Sequence, residues 1–115
     1  MMFNWEKGRQ NSGYEKLRVL LSNRFKFDVY ILKYPEGSVI QSHVDKVDEI
    51  FEHHRLNIVL KKAKKGGVFS CNDTAKTGRI HYFRPDIMKH KVSKIELGTR
   101  YVLSIGWLKK KPKTV

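Results

Sequence analysis

The sequence is short of cysteine, of proline, of acid and of long apolar runs. Cys71 is the only cysteine among 115 residues. An intramolecular disulfide is therefore impossible, as expected in a reducing compartment. No run of about eighteen apolar residues occurs, which excludes a membrane-spanning helix. The opening MMFNWEKGRQ lacks the apolar stretch of a signal peptide. These absences predict a cytoplasmic protein with no membrane partner. Eleven Asp and Glu stand against 24 Lys and Arg, a formal charge of +13. Solubility of a small domain requires roughly 2–8 units. The excess attracts nucleic acid or another polyanion over long range. No internal repeat is present.

The length suits one domain over residues 1–115. Apolar residues make up 40%, enough for a core. Residues 1–24 read as an irregular arm, 1–13, followed by a helix. In Tyr14–Ser22, YEKLRVLLS, the residues Tyr14, Leu17, Leu20 and Leu21 share one face of a helical wheel, with Val19 the misfit. From Phe25 the period changes to two, and short strands follow at regular spacing to Leu108. They are predicted near 25–34, 39–45, 54–62, 67–71, 79–83, 88–95 and 99–108, with turns at Pro35–Ser38, Lys64–Gly67, Asn72–Gly78 and Gly98. Residues 46–52 read as a loop or short helix overhanging the site. Residues 109–115 form a basic tail. Such a count predicts a mainly β chain, a sandwich or jelly roll with one short N-terminal helix.

One stretch carries chemistry. His43 and Asp45 are two apart, and on a strand i and i+2 share a face. His90 lies far enough on to return on another strand. Two His and one carboxylate form the facial triad that holds non-haem Fe(II) and leaves positions open. Ten residues beyond His90, the Arg100 guanidinium can clamp a carboxylate with two hydrogen bonds. His53 and His54 are adjacent, so on a strand they point to opposite faces. They and His81 read as structural or surface residues. Cys71 reads as a small core residue.

The ordered set Tyr34 and Gly37, His43-Val44-Asp45, Gly66-Gly67, His90-Lys91-Val92, and Arg100-Tyr101 through Trp107 resembles the Fe(II)- and 2-oxoglutarate-dependent dioxygenases. The prolyl-hydroxylase-like branch is the nearest in pattern, and the compact length resembles small members from tailed phages. The matched pieces cover residues 27 to 108. The resemblance implies a double-stranded β-helix core over 25–108. It also implies catalytic metal ligands His43, Asp45 and His90, with 2-oxoglutarate and O2 as cosubstrates and ascorbate as an optional reductant. A phage-encoded member would act in the host cytoplasm. Arg100 would take the distal carboxylate of 2-oxoglutarate. Tyr34 would either give its hydroxyl to the same carboxylate or pack in the core. A further polar contact is expected on the strand after HxD. That strand ends in Leu60-Lys61-Lys62, which leaves Arg55 and Asn57 as candidates. Asn57 reads better as a plain polar residue of the sheet than as a pocket contact.

The expected function is hydroxylation of a nucleic-acid base or a protein side chain. Two alternatives use the same fold: a non-catalytic basic nucleic-acid-binding module, and a cupin-like metal protein without 2-oxoglutarate. Nucleic acid is the second candidate partner. Lysines cluster at Lys61, Lys62, Lys64 and Lys65, at Lys89, Lys91 and Lys94, and at Lys109, Lys110, Lys111 and Lys113. If these blocks converge at the metal's open side, they would hold a phosphate backbone without reading its sequence. The sequence fixes neither the substrate nor the oligomeric state.

Overall fold

The computed structural model describes residues 5–8 and 12–112. They form twelve strands: β1 (Trp5–Lys7), β2 (Glu15–Ser22), β3 (Phe27–Tyr34), β4 (Ile40–His43), β5 (Phe51–Lys61), β6 (Lys65–Gly66), β7 (Phe69–Cys71), β8 (Thr74–Ala75), β9 (Ile80–Phe83), β10 (His90–Val92), β11 (Ile95–Leu97) and β12 (Arg100–Lys110). The large sheet runs β1-β2-β3-β12-β5-β9, the small sheet β4-β10-β7-β8, and β11 pairs with β6. Every pairing is antiparallel. The two main sheets face each other across a jelly-roll core of Tyr34, Ile40, Val59, Phe69, Phe83, Val92, Ile95 and Val102. Val102 and Ile95 are 0% and 1% exposed. Burying each contributes about 1.5–3 kcal/mol. Cys71 is buried in this core and unpaired.

The predicted helix over 14–22 is absent, and no helix occurs among the described residues. Residues 15–22 instead join the large sheet as β2, between β1 and β3. The cause lies in a bulge. Arg18 pairs with Tyr30 and Leu20 with Val29, so Val19 is extra. One inserted residue puts Leu17 and Leu20, three apart, on the same face of the sheet. That spacing imitates a helical turn. Val19, the misfit of the helical wheel, is the bulged residue.

Other boundaries moved for simple reasons. The 46–52 segment forms no helix, and β5 begins within it at Phe51. Strand β4 stops at His43, so Asp45 lies just beyond it in a loop. Part of the irregular N-terminal arm is β1, and Lys109 and Lys110 continue β12 rather than starting a tail. Residues 1–4, 9–11 and 113–115, with the outer parts of the predicted arm and tail, lie outside the described residues.

Gly66-Gly67 is both a turn and a close approach. Gly66 has φ +80, and a Cβ there would stand 2.1 Å from the Lys94 carbonyl oxygen. Gly67 has φ +70, and its Cβ would meet Ile95 at 2.5 Å and Arg100 at 3.4 Å. These glycines let β6 lie against β11 and leave room for Arg100. Gly66→Ala is expected to lower stability by at least about 1–3 kcal/mol, since left-handed strain adds to a backbone collision. A shift of the chemical denaturation midpoint measures it, and an unchanged midpoint would count against the close approach.

Candidate metal centre

The small sheet brings the two distant histidines together. His90 opens β10 directly opposite His43 at the end of β4. Their ring centres are 4.2 Å apart. Asp45 reaches both from the loop after β4. Its Oδ1 lies 3.4 Å from His43 Nε2, and its Oδ2 lies 3.3 Å from His90 Nε2. The shared-face argument for His43 and Asp45 therefore gives the right neighbours for the wrong reason. Asp45 is not on the strand. Its backbone N–H donates to the Pro85 carbonyl at 2.7 Å. Pro85 is fully buried, and the flanking Arg84 and Asp86 are joined by two hydrogen bonds of 2.9 and 2.7 Å. That stiff turn holds the Asp45 loop.

The donor set suits a metal ion. His43 Nδ1–H donates to the Gln41 carbonyl at 2.8 Å, and His90 Nδ1–H to the Met88 carbonyl at 3.0 Å. Both bonds fix the neutral tautomer that leaves Nε2 bare as a ligand. Each residue offers one ligand atom, and all three atoms lie within 4.8 Å of one another. Ligands about 2.1 Å from an ion stand about 3.0–3.4 Å apart across a right or tetrahedral angle, close to the two Nε2–carboxylate separations of 3.4 and 3.3 Å. Among the described residues this is the one such group.

The triad opens into a pocket of about 330 Å³ between the two sheets. Tyr34, Asn57 and Arg100 line the same pocket, with Tyr14, Lys16, Tyr30, His53, Arg55 and Ser104. Arg100 pairs in register with Tyr34, and its guanidinium carbon lies 4.9 Å from the Tyr34 ring centre. Burial pushes the Tyr34 hydroxyl up to about 12, against the pull of the Arg100 charge. Burial also lowers the Arg100 pKa, with Tyr34 opposing. Arg100 is 4% exposed. No carboxylate among the described residues forms an ion pair with it. A buried guanidinium lacking a counter-ion is costly unless a ligand supplies one.

Arg55 differs. It donates to both oxygens of Asp28 at 2.9 and 3.1 Å and to Ser104 Oγ at 2.8 Å. Ser104 Oγ–H in turn donates to Asn57 Oδ1 at 2.6 Å. Arg55 is thus neutralised inside the protein, and Asn57 is tied into the wall across β5 and β12. The Asp28–Arg55–Ser104–Asn57 chain has no signature in the sequence, because its members lie far apart along it and meet only through strand register. The lining residues Tyr14, Lys16 and Tyr30 were also missed, since the helical reading turned Tyr14 and Lys16 away from the site. Tyr14 stacks on Tyr34 with ring centres 5.2 Å apart.

The remaining histidines divide as strand alternation predicts. His53 faces the pocket. His54 faces outward, with its ring 5.7 Å from that of Trp107. His81 is buried against Phe69, ring centres 5.1 Å apart, and burial lowers its pKa. Burial and the neighbouring Arg55 hold His53 down to about 4, from 6.5. Between those values the unfolded chain takes a proton that the folded chain refuses. Stability should therefore be full above about pH 6.5 and fall as pH drops towards 4. Denaturation of metal-free protein across this range checks it. His53→Gln should flatten the slope, and an unchanged slope would show that His53 does not carry it.

Lys61 of the first lysine block and Lys110 of the last lie apart. Lys61 pairs with Tyr101 and Lys110 with Phe51, at opposite ends of the β5–β12 pair. They stand about 30 Å apart along the strand. Lys91 is exposed between the buried His90 and Val92, which places it on the outside of the small sheet.

No protein-family model matches the chain, and no curated protein matches it. Solved structures do. The cupin domain of Schizosaccharomyces pombe Cnp3 is similar with a TM-score of 0.67 and 8% identity, over 92% of this chain and 69% of that one. KdgF from a Halomonas species gives 0.65 and 12%, over 94% and 88%. A predicted oxalate decarboxylase from Thermotoga maritima gives 0.66 and 19%, over 93% and 94%. At these identities the likeness is one of fold. The chain has the cupin-like jelly roll, with a His43, Asp45 and His90 group able to hold a metal ion. A group able to hold a metal on this fold accords with the cupin-like alternative, while the resemblance to 2-oxoglutarate dioxygenases rests on the sequence motifs.

Proposed function

We propose that this chain is a metal-dependent oxygenase whose pocket takes 2-oxoglutarate beside Fe(II). The observation that carries the reading is Arg100. A buried guanidinium with no carboxylate partner among the described residues lines the same pocket as a His, Asp, His group. A site needing only a metal has no use for it, whereas a dicarboxylate bridging metal and Arg100 would supply the missing counter-ion. His43 and His90 would present Nε2 to the ion, and Asp45 would add a carboxylate oxygen and negative charge. Arg100 would hold the far carboxylate in a fork, with the Tyr34 hydroxyl as a further donor. Ile40, Phe69, Phe83 and Val92 form an apolar wall that limits water around the bound molecule. Asn57 would act by keeping the Ser104 and Arg55 wall in place. Fe(II) with 2-oxoglutarate supplies the O2-dependent oxidation of a C–H bond, with release of succinate and CO2. The substrate would be a nucleic-acid base or a protein side chain.

A second reading is a cupin-like metal protein that does not use 2-oxoglutarate. The similarity to cupin structures favours it. Incubation with Fe(II), ascorbate and 2-oxoglutarate separates the two. Formation of succinate, lost in His90→Ala, supports the oxygenase. Metal binding with no succinate, with or without candidate substrates, supports the second reading.

A further inference from the structure

Strand β2 carries two cations along the edge of the pocket. Lys16 stands across from Leu32 and Arg18 across from Tyr30. Lys16, Leu32 and Tyr30 all line the pocket, so Arg18 faces the same side, just beyond it. Glu15 and Leu17 alternate with them and point to the opposite face, which is apolar around Ile31 and Leu103. Among the described residues neither Lys16 nor Arg18 forms an ion pair with a carboxylate. Glu6 stands opposite Lys16 on β1, but the Lys16 ammonium turns to the Tyr30 ring, 5.3 Å from its centre. Arg18 is exposed. Asp45 is the one carboxylate among the residues lining the pocket. Against it stand Lys16 and Arg100, since Asp28 neutralises Arg55.

We infer that Lys16 and Arg18 hold the backbone phosphates of a single-stranded nucleic acid whose base enters the pocket. This rests on the oxygenase reading and narrows its substrate to a base. Spacing favours a strand. Residues i and i+2 stand about 7 Å apart along β2, which suits successive phosphates better than one free phosphate. The formal charge of +13 draws a polyanion from a distance. Beside the two cations the pocket wall is built from Tyr14, Tyr30 and Tyr34, flat rings of the kind that bind bases. An acidic peptide would answer the cations but not these walls. Strands β2 and β12 are two apart in the sheet, so Lys16 stands about 10 Å from the strand that carries Arg100. A phosphate at Lys16, with its base at the metal's open side, covers that span. A base in a duplex would have to leave its stack to do so, which makes the unpaired strand the form that enters.

Fluorescence anisotropy tests it, with a labelled single-stranded oligonucleotide of mixed sequence and Mn(II)-loaded protein across a range of salt. Lys16→Gln combined with Arg18→Gln should weaken binding. It should also lower the slope of log affinity against log salt by about 1.4, since each single-strand phosphate contact contributes about 0.7. Lys109→Gln combined with Lys110→Gln removes the same charge from two exposed residues at the far end of β12. That variant should keep the wild-type slope, and circular dichroism checks that both variants fold. Equal slopes in the two variants, or no binding by the wild type at low salt, would overturn the inference. The oligonucleotide should also raise succinate formation by the Fe(II)-loaded wild type, and stimulation by an acidic peptide instead would make the substrate a protein. Succinate is read apart from strand binding. Its absence under every condition would count against the oxygenase reading, while the salt slopes still decide whether Lys16 and Arg18 hold phosphate.

Discussion

Asp45→Ala should abolish stoichiometric binding of Fe(II), Mn(II) or Co(II), or weaken it severely. The carboxylate is the only acidic ligand in the group, and it stands 3.3–3.4 Å from both histidine Nε2 atoms. Without it an ion would meet two neutral imidazoles in a strongly positive protein. Its removal should do little harm to the fold, since Asp45 is 41% exposed at its side chain. The backbone N–H that bonds Pro85 remains in the variant. Calorimetric titration with Mn(II) reads the effect. One ion per chain in the wild type, and none in Asp45→Ala, is the expected pair of results. One-to-one binding that survives loss of both His43 and His90 would remove the metal centre from these residues.

Arg100→Ala should weaken 2-oxoglutarate binding by about 2–5 kcal/mol, the usual cost of truncating one partner of a buried charge pair. Metal affinity should hardly move, because Arg100 is not among the ligands. Stability of the ligand-free protein should respond in the opposite sense from an ordinary ion-pair deletion. Burial already disfavours the Arg100 charge, and no carboxylate among the described residues compensates it. Arg100→Met, which keeps much of the packing volume, is therefore expected to match or exceed the wild type in chemical denaturation without ligand. Adding 2-oxoglutarate to the Fe(II)-loaded proteins should stabilise the wild type far more than Arg100→Met. Equal stabilisation of both would place the carboxylate elsewhere.

Much of this site is written in the sequence at the level of residue identity. HVD, the later HKV and the arginine ten residues on are brought to one pocket, as their order and spacing suggest. The geometry that unites them was less legible. Asp45 depends on a turn around Pro85 that lies forty residues away, and local periodicity holds no trace of that bond. The strands from Phe27 onward announced themselves through alternation and turn residues. Strand β2 did not, because one bulged residue turned a period of two into an apparent period of three. That single misreading hid Lys16 and Tyr14 from the pocket. It also hid Leu17 and Leu20 from the apolar face of the large sheet. Charge was legible as a total but not as a pattern, since the placement of each lysine follows from strand register.

The proposed arrangement is an ion held by His43, Asp45 and His90, with its open side taking a carboxylate ligand anchored by Arg100. Its most direct test is calorimetric titration of 2-oxoglutarate, without oxygen, into wild-type protein with and without Fe(II). One-to-one binding that requires the metal is expected. Binding by the metal-loaded Arg100→Ala variant should be reduced by at least about thirtyfold, the equivalent of about 2 kcal/mol. Binding of equal strength with and without Fe(II), or no binding by the metal-loaded wild type, would contradict it.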